Sequence, residues 1–322
     1  MKNTLLIMSA LIPILAIQSV QATILASGNP DDGNGCGANC SWSLDDNGVL
    51  TISGTGNMVD HMGSNGDNQP WLDYRSDIQK VVVKSGITSV STHAFRNIST
   101  LTEVSLPNGL ISVGRYAFLS TGLTSVTIPS SVNSLGYTAF GTGTLKSVTF
   151  EEPSHLTSLG EAFVLSGLTS IKIPEGVTSL GWEEFNATYN SIKSITIPDS
   201  VTYISSPYAV YMVTQVNDFT ANAANLARFL EAGGGFMAGS DGKINVTCTS
   251  GDCDKYLRTE SKYKDNQSML NAIYCSVANA DGSTTIYNNG KIISIKGKRI
   301  YTVQEANQVS KPTGNRVSIR YK

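Results

Sequence analysis

The sequence is poor in the residues on which most active sites depend. Its 322 residues include three histidines, His61, His93 and His155, which are too far apart to suggest a shared motif. This scarcity leaves little for histidine-based metal binding or acid–base chemistry. Charged residues make up 15% of the chain, against the usual ~25%. The formal net charge of −2 argues against nucleic-acid binding, which requires a basic surface.

Long hydrophobic runs are also scarce. One apolar run extends from Leu5 to Ile17, with Lys2 before it and Val20-Gln21-Ala22 after it. A positive start, an apolar stretch and small residues at the end are typical of a secretory signal peptide, so we predict one over residues 1–22. The run is shorter than the ~20 residues of a membrane span. We therefore expect a secreted or cell-surface protein without a transmembrane segment in the mature chain.

Hydroxyl residues and glycine are abundant instead. Serine and threonine together number 69, more than the 48 charged residues, and there are 30 glycines. Five cysteines fit an exported protein, because export favours disulfides over zinc sites. Cys36 and Cys40 form one possible disulfide. One bridge among Cys248, Cys253 and Cys275 would leave a thiol over, and the sequence leaves that pairing open.

The middle of the chain repeats every 22 or 23 residues. Phenylalanine recurs in this register at Phe95, Phe118, Phe140, Phe163 and Phe185. Each unit opens on an apolar residue, with two more apolar positions three and five residues later, as in Leu123, Val126 and Ile128. In four of the units a proline follows directly, and a glycine that permits a tight corner comes later.

This pattern predicts a solenoid of about six coils over residues 78–214. The alternation at the start of each unit indicates a short strand. A single unit cannot bury its own apolar face, whereas stacked neighbours can.

The units resemble a known family. Leu123 to Phe140 reads L-x-x-V-x-I-P-x-x-V-x-x-L-G-x-x-A-F, which is similar to the BspA-like (Treponema pallidum type) leucine-rich repeat. The segment from Cys36 to Met58, with Trp42 and Asp45-Asp46-Asn47-Gly48, looks like the N-terminal cap of such proteins. The resemblance covers roughly residues 36–205. It implies a parallel-sheet solenoid on a secreted or surface protein, and a link to adhesion and to host matrix proteins such as fibronectin and fibrinogen.

The two ends differ from the repeats. Residues 23–77 are predicted as an N-terminal β cap with a hairpin over residues 42–52, turning at Asn47-Gly48. Residues 215–242 are predicted as a capping-helix region, with the helix at Ala221 to Ala232. Residues 243–322 are predicted as a separate Cys-containing basic module with strands at 284–287, 291–295 and 298–302. The predicted fold class is thus a leucine-rich repeat solenoid of short parallel β-strands, α/β to mostly β, with an N-terminal β-hairpin cap and a small C-terminal α+β module.

The end of the chain is basic, unlike the rest. From residue 283 onward it holds eight lysines or arginines and one glutamate, a net +7, whereas residues 23–282 carry −10. This tail is either a patch for an anionic partner or a solvated β face. The candidate basic patch comprises Lys291, Lys296, Lys298, Arg299, Arg316 and Arg320.

No catalytic constellation is apparent. The carboxylate pairs Glu151-Glu152 and Glu183-Glu184 fall at different places in their coils, so they should not converge across a cleft. The aspartate clusters Asp31-Asp32 and Asp45-Asp46-Asn47 are explained by the preference of these residues for turns, so they do not indicate a calcium site. We therefore expect no cofactor, no metal site and no enzyme activity, although a hydrolase within the C-terminal module is a third alternative.

The remaining candidate site is the outward side of the predicted strands. Strand alternation assigns ten residues to it: Glu103, Ser105, Ser125, Thr127, Ser147, Thr149, Ser170, Lys172, Ser194 and Thr196. Together with the adhesion link that the family resemblance implies, this face leads us to expect a binding protein, an adhesin, that recognises a protein or glycan ligand on a host or neighbouring cell surface through the solenoid. The alternative is a structural or self-associating surface component docked through the basic tail.

Overall fold

A computed structural model describes most of the chain. It describes residues 22–60, 68–181, 185, 192–205, 213–279, 283–296 and 299–300, and for 293–296 and 299–300 the backbone alone. Several predicted features lie outside these residues: the signal peptide before residue 22, His61, Glu183-Glu184, Lys298, Arg316, Arg320 and the side chains of Lys296 and Arg299.

Short strands dominate the described chain. They are β1 (Ile24–Gly28), β2 (Cys40–Asp45), β3 (Val49–Gly54), β4 (Gly56–Asn57), β5 (Lys80–Val83), β6 (Ile87–Val90), β7 (Glu103–Ser105), β8 (Ser112–Val113), β9 (Ser125–Ile128), β10 (Ser134–Leu135), β11 (Ser147–Phe150), β12 (Ser170–Lys172), β13 (Ser179–Leu180), β14 (Ser194–Thr196), β15 (Tyr203–Ile204), β16 (Asp218–Ala221), β17 (Ile244–Cys248), β18 (Ile273–Ala278), β19 (Thr284–Asn288), β20 (Lys291–Lys296) and β21 (Arg299–Ile300). The helices are α1 (Ala223–Glu231), α2 (Cys253–Thr259) and α3 (Gln267–Ala272), with 3-10 turns at Pro30–Asp32 and Leu72–Tyr74.

The first strand of each coil joins a parallel sheet, as the repeat predicts. β5 pairs with β7, and β9 pairs with β11. A third run of neighbouring parallel strands has the order β12, β14, β16, β17 and β18. The ladder is interrupted between β7 and β9 and between β11 and β12. At the second interruption the Thr169 amide still donates to Lys146 O at 3.2 Å, so the two coils stay in register. A leucine-rich repeat solenoid with mostly parallel strands is therefore confirmed.

A second set of short parallel strands follows the turn in each coil. β4, β6, β8 and β10 form one small sheet, and β13 pairs with β15 in another. Their inward residues, such as Val90, Val113 and Leu135, enter the same core as the main strands. The interior is thus enclosed by two strand layers that one chain builds coil by coil.

A ladder of aromatic rings fills the core opposite the main sheet. Trp71, Phe95, Phe118, Phe140 and Phe163 are almost fully buried, and consecutive rings stack at centroid distances of 5.5, 5.2, 5.2 and 5.8 Å. The backbone supports the stack, because the amides of Phe95, Phe118 and Phe140 donate to the alanine carbonyl of the next coil, as Phe118 N does to Ala139 O at 2.8 Å. The Ala-Phe pairs of the sequence therefore stack both their rings and their backbones.

The glycine that recurs in the repeat allows neighbouring coils to approach closely. A Cβ added at Gly114 would lie 2.5 Å from Thr92 N, and one at Gly136 would lie 2.5 Å from Arg115 N. Neither glycine is among the residues with positive φ. The expectation of a tight corner therefore needs correction at Gly114 and Gly136, which leave room for the backbone of the preceding coil, whereas Gly160, with φ of 64°, does adopt the left-handed conformation.

The strained positions lie two residues later. His93, Tyr116 and Thr138 have φ of 61°, 57° and 53°. A left-handed non-glycine residue costs of order 1–3 kcal/mol. The turn is held between coils, because the Tyr116 amide donates to Tyr137 O at 3.1 Å and the Thr138 amide donates to Glu161 O at 2.9 Å. These bonds offset the local cost.

Threonine hydroxyls join neighbouring coils on the flank of the stack. Thr100 Oγ1 donates to Ile78 O at 2.7 Å, and Thr144 Oγ1 donates to Leu123 O at 2.8 Å. In both cases the acceptor is the first core residue of the preceding coil. Part of the abundance of hydroxyl residues is therefore structural, because these side chains satisfy carbonyls at the entry to each strand.

The N-terminal end is a β cap, as predicted. β2 and β3 form the antiparallel hairpin across Asn47-Gly48, and β3 then pairs in parallel with β5 of the first coil. β1 adds a further antiparallel strand on β2. The hairpin places Trp42 beside Trp71, the first ring of the ladder, at 6.1 Å, so it closes the N-terminal end of the core.

The C-terminal end differs from the prediction. Residues 215–242 were expected to cap the solenoid and a separate module to begin at 243, yet β16, β17 and β18 continue the parallel sheet. The helix occurs close to where the sequence predicts it, with Leu226, Phe229 and Leu230 buried, but it lies between two sheet strands. The connections that lead to β17 and β18 are longer than the 22–23-residue repeat, so the repeat does not reveal these two strands. In their case 27 residues separate Asp218 from its partner Asn245, and 29 separate Asn245 from Tyr274.

The change to antiparallel pairing comes at β19. There β19, β20 and β21 follow β18 as a meander at the edge of the same sheet, at the positions where the sequence predicts strands. The meander contacts α2 through Asp254, which is 5% exposed. Its carboxylate accepts from Arg258 Nε at 2.8 Å, and the Gly290 amide points to it at 3.4 Å. A single hydrophobic core runs from Cys36 to Cys275.

Candidate binding face

The outward side of the nine parallel strands β5, β7, β9, β11, β12, β14, β16, β17 and β18 forms a continuous surface, which we call the open sheet face. It has two rows of side chains, set by the strand register. The first row is Lys80, Glu103, Ser125, Ser147, Ser170, Ser194, Asp218, Asn245 and Tyr274. The second row is Val82, Ser105, Thr127, Thr149, Lys172, Thr196, Thr220, Thr247 and Ser276. With strands ~4.8 Å apart, the face is roughly 40 Å long.

The ten residues assigned to this face from sequence all lie on it. Eight are exposed, and Ser194 and Thr196 are half-buried. Their inward neighbours, such as Val126, Ile171 and Ile195, are buried. The alternation that placed them is thus reproduced, and their role in binding stays a prediction.

Sequence reasoning missed the last three strands of the face. They add Asp218, Asn245 and Tyr274 to the first row and three hydroxyls to the second. The signal was present in the alternation of Ile244, Val246 and Cys248 with polar residues. Helices lengthen the connections that lead to β17 and β18, whereas β16 precedes the helices and follows β14 at the same 24-residue spacing that separates β12 from β14.

The face changes character along its length. At its start Lys80 and Glu103 form an ion pair across neighbouring strands. At its far end Asn245 Nδ2 donates to Asp218 Oδ1 at 2.8 Å, and the Lys243 ammonium lies over the Tyr274 ring at 5.5 Å. Hydroxyl side chains and Lys172 occupy the middle. The far end therefore supplies an aromatic side chain that the ten predicted residues lack.

Comparison with known proteins supports the assignment of the repeats. The family described as "BspA type Leucine rich repeat region" matches residues 73–190 and 141–226, with six copies. Residues 73–226 are a BspA-type leucine-rich repeat region. The resemblance read from the sequence is confirmed.

Solved structures similar to this chain include leucine-rich repeat proteins and a pneumococcal vaccine antigen. A leucine-rich repeat protein from Eubacterium ventriosum is 23% identical, with 70% of this chain and 66% of that chain covered and a TM-score of 0.48. The pneumococcal vaccine antigen PcpA is 13% identical, with 58% and 64% covered and a TM-score of 0.37. A leucine-rich repeat protein from Bacteroides ovatus is 16% identical, with 66% and 70% covered and a TM-score of 0.33.

The chain spans slightly less than two thirds of the length of the first two of these proteins. No curated protein matches the chain. Within the described residues, no helix has both the length and the apolar character needed to cross a bilayer.

The cysteines support the ends of the leucine-rich repeat solenoid. Cys36 is joined to Cys40 in the N-terminal cap, and Cys248 to Cys253 between β17 and α2. Cys275 is the free thiol that the odd count predicts, and it is buried. Burial raises its pKa well above the usual thiol value, and the nearby Asp254 and Asp252 carboxylates raise it further. A thiol held protonated in this way is a poor nucleophile.

The candidate basic patch is only partly described. Lys291 is exposed at the start of β20, and Lys296 and Arg299 lie on the antiparallel β20 and β21, whereas the other three residues lie outside the described chain. Lys291, Lys296 and Arg299 therefore lie on the edge of the same sheet that carries the open sheet face. Whether all six residues form one patch stays a prediction.

The groups with catalytic potential are dispersed. Glu151 and Glu152 are exposed after β11, and the His155 Nδ1 atom lies 2.7 Å from Ser130 O. His93 stacks on Tyr116 with ring centroids 5.2 Å apart. Among the described residues, no group of three histidine, cysteine or acidic side chains is placed to hold a metal ion.

Two shallow grooves mark the surface away from the open sheet face. One, of about 440 Å³, lies beside Leu119, Thr142 and Leu165. The other, of about 520 Å³, includes Asp60 and Thr92, whose amide donates to the Asp60 carboxylate at 2.7 Å. Neither brings together an acid and a base.

Burial also shifts the pKa values of Lys262 and Tyr263, near the last coils. It lowers the pKa of Lys262, whose ammonium donates to Gly234 O, and raises the pKa of Tyr263, whose hydroxyl accepts from Phe236 N at 2.9 Å. Both groups tie neighbouring segments together, so we assign them a structural role.

Proposed function

We propose that this chain is a secreted or cell-surface binding protein that recognises an extracellular matrix ligand through the open sheet face, without catalysis. The observation that carries the proposal is the uncovered array of outward side chains across nine strands of a leucine-rich repeat solenoid. Repeat proteins of this type present such extended faces for recognition. The family resemblance to adhesion-linked proteins and the predicted signal peptide support an extracellular location.

The dimensions of the face indicate how it would bind. Two rows of side chains over roughly 40 Å give a strip roughly 10 Å wide, or about 400 Å². A standard protein interface buries about 800 Å² per partner. The described face is also poor in the tryptophan, tyrosine and arginine anchors of strong interfaces. We therefore expect modest affinity for each site, strengthened by multivalent display.

The test is solid-phase binding of the mature chain, residues 23–322, to fibronectin, fibrinogen, collagen and mucin. One variant, Ser125→Tyr with Ser170→Tyr, places two bulky side chains on the open sheet face to block a ligand. Tyrosine is chosen because it is favoured in β-strands and should leave the fold intact. A matched control, Ser99→Tyr with Asn133→Tyr, places the same residues at exposed positions off that face. We expect saturable binding to at least one matrix protein, abolished by the first variant and retained by the control.

The alternative function is self-association through the basic tail. The observation that favours it is the contrast between +7 from residue 283 onward and −10 over residues 23–282. Light scattering of the wild type and of Arg316→Gln with Arg320→Gln would detect it as assembly that weakens with salt and with the substitutions. Removal of all residues after 282 is unsuitable, because it would also strip β18 of its partner β19.

No binding to any of the four matrix proteins, together with salt-sensitive assembly, would replace the adhesin proposal with this alternative.

A further inference from the structure

Three lysines are grouped at the middle of the open sheet face and its margin. Lys172 lies in the second row of the face, and Lys146 and Lys193 directly precede the strands β11 and β14. Lys146 and Lys193 occupy equivalent positions two coils apart, because the Thr169 amide donates to Lys146 O at 3.2 Å and the Lys193 amide donates to Thr169 O at 2.8 Å. Lys172 lies on the intervening strand β12, three residues beyond Thr169. With ~4.8 Å between strands and ~3.3 Å per residue, the three backbones form a triangle with sides of roughly 10 Å.

Serine and threonine fill the rest of this area. The outward positions of coils four to six, including the residue before each strand, are Lys146, Ser147, Thr149, Thr169, Ser170, Lys172, Lys193, Ser194 and Thr196. They comprise three positive charges, six hydroxyls and no carboxylate. We call these nine residues the lysine–serine patch.

The three ammonium groups are not neutralised within the described chain. Lys80, in the first coil, is paired with Glu103, whereas none of these three forms an ion pair with a described residue. Lys146 Nζ donates to Gly143 O at 2.9 Å, and Lys193 Nζ donates to Gln215 Oε1 at 2.5 Å.

The nearest acid on the face is turned toward another partner. Asp218 lies on the strand next to Ser194, and its carboxylate accepts from Asn245 Nδ2 at 2.8 Å. The other acids of these coils that the structure describes lie off the face, with Glu151, Glu175 and Asp199 beyond the carboxyl ends of the strands. The lysine–serine patch is therefore a positively charged area within residues 23–282, whose net charge is −10.

We propose that the lysine–serine patch binds an anionic polysaccharide. Its sulfate or carboxylate groups would lie against Lys146, Lys172 and Lys193, and its hydroxyls would bond to the row Ser147, Ser170 and Ser194. The proposal rests on the proposed function, since it uses the same face, and it names a ligand class for it.

The chemistry of the patch favours this ligand over two others. A protein partner needs buried aromatic or aliphatic anchors, and none of the nine residues is apolar. A neutral glycan would have no charged group to match three unpaired cations, which attract an anion through complementary potential. A long polar chain with regularly spaced charge also suits a strip about 10 Å wide better than a globular partner does.

The test uses the full mature chain with heparin as the probe. The patch variant is Lys146→Gln, Lys172→Gln and Lys193→Gln together. The matched control is Lys84→Gln, Lys255→Gln and Lys264→Gln, which removes three exposed lysines outside the patch. At physiological salt we expect the patch variant to lose about tenfold in affinity, as for three partly screened charge contacts, and the control to change less than about twofold.

Lysine acetylation read by mass spectrometry separates this patch from the basic tail. Heparin at about ten times its dissociation constant should slow acetylation of Lys146, Lys172 and Lys193 by about tenfold, because only the free fraction reacts. Lys84, Lys255 and Lys264 should react at unchanged rates. Protection confined to Lys311 and Lys322 would place heparin on the tail and overturn the proposal.

Two further results would also overturn it. One is equal protection by poly-glutamate at matched charge, since the patch would then respond to charge alone. The other is unchanged affinity of the patch variant for heparin. Either could occur while matrix-protein binding is still abolished by Ser125→Tyr with Ser170→Tyr, so failure of this inference is distinguishable from failure of the proposed function.

Discussion

Replacement of Phe118 by alanine should test whether the ring ladder carries the stability of the solenoid. Phe118 is fully buried and stacks between Phe95 and Phe140, with both centroid distances 5.2 Å. Loss of a buried phenylalanine ring removes its burial free energy and leaves a cavity, at a cost of about 3–5 kcal/mol. That is a large part of the 5–15 kcal/mol by which domains are typically stable. Urea unfolding followed by circular dichroism measures the change.

A conservative variant and a mutant cycle sharpen this prediction. Phe118→Leu keeps most of the volume and should cost less than about 1.5 kcal/mol. Alanine at both Phe118 and Phe140 should show a coupling energy of about 0.5–1.5 kcal/mol, since their rings are in contact. Alanine at Phe118 and Phe163, which are separated by Phe140, should be additive within about 0.5 kcal/mol. Equal coupling for the two pairs, or a loss below about 1 kcal/mol for Phe118→Ala, would refute the ladder as a chain of nearest-neighbour contacts.

Two other predictions concern the C-terminal coils. Asp254→Asn should lower the free energy of unfolding by about 1–3 kcal/mol, because it removes a charged partner of Arg258 from a buried site, whereas Asp265→Asn at an exposed position should change it by less than about 0.5 kcal/mol. Hydrogen exchange at the Gly290 amide should quicken in the Asp254 variant alone. Equal effects of the two substitutions would contradict the role of Asp254 in holding the meander against α2. Burial raises the pKa of Cys275 in the folded state above its usual value of 9.0, so the folded state holds the thiol proton more tightly than the unfolded state does. This contribution to stability is therefore complete below pH 9 and declines as the pH rises above it. Cys275→Ala should remove the part of the alkaline destabilisation that begins near pH 9, and iodoacetamide should label one thiol in urea and none in the native protein; labelling of the native protein would show that the thiol is not buried.

Much of the architecture could be read from local sequence. The hairpin at Asn47-Gly48, the repeat positions, the helix near Leu226 and the outward placement of the ten face residues all depend on turn chemistry and on alternation within a few residues. Such signals act over one turn or one strand, so a single sequence carries them completely.

Other features depend on which coil lies beside which. The role of Gly114 comes from the backbone of Thr92, 22 residues earlier, and the left-handed turn at Tyr116 is held by a carbonyl of the following coil. The strands β17 and β18 escaped prediction because helices lengthen the connections that precede them while strand pairing is kept.

The sequence by itself therefore determined the repeated coil, its buried and exposed positions and the number of cysteines left unpaired. The tertiary structure decided that the sheet continues through β18, that Cys248 bonds to Cys253, and that Lys146, Lys172 and Lys193 share one area. The physical reason is that alternation is a property of a strand, whereas the grouping of charges depends on the register between strands that hydrogen bonds set across neighbouring coils.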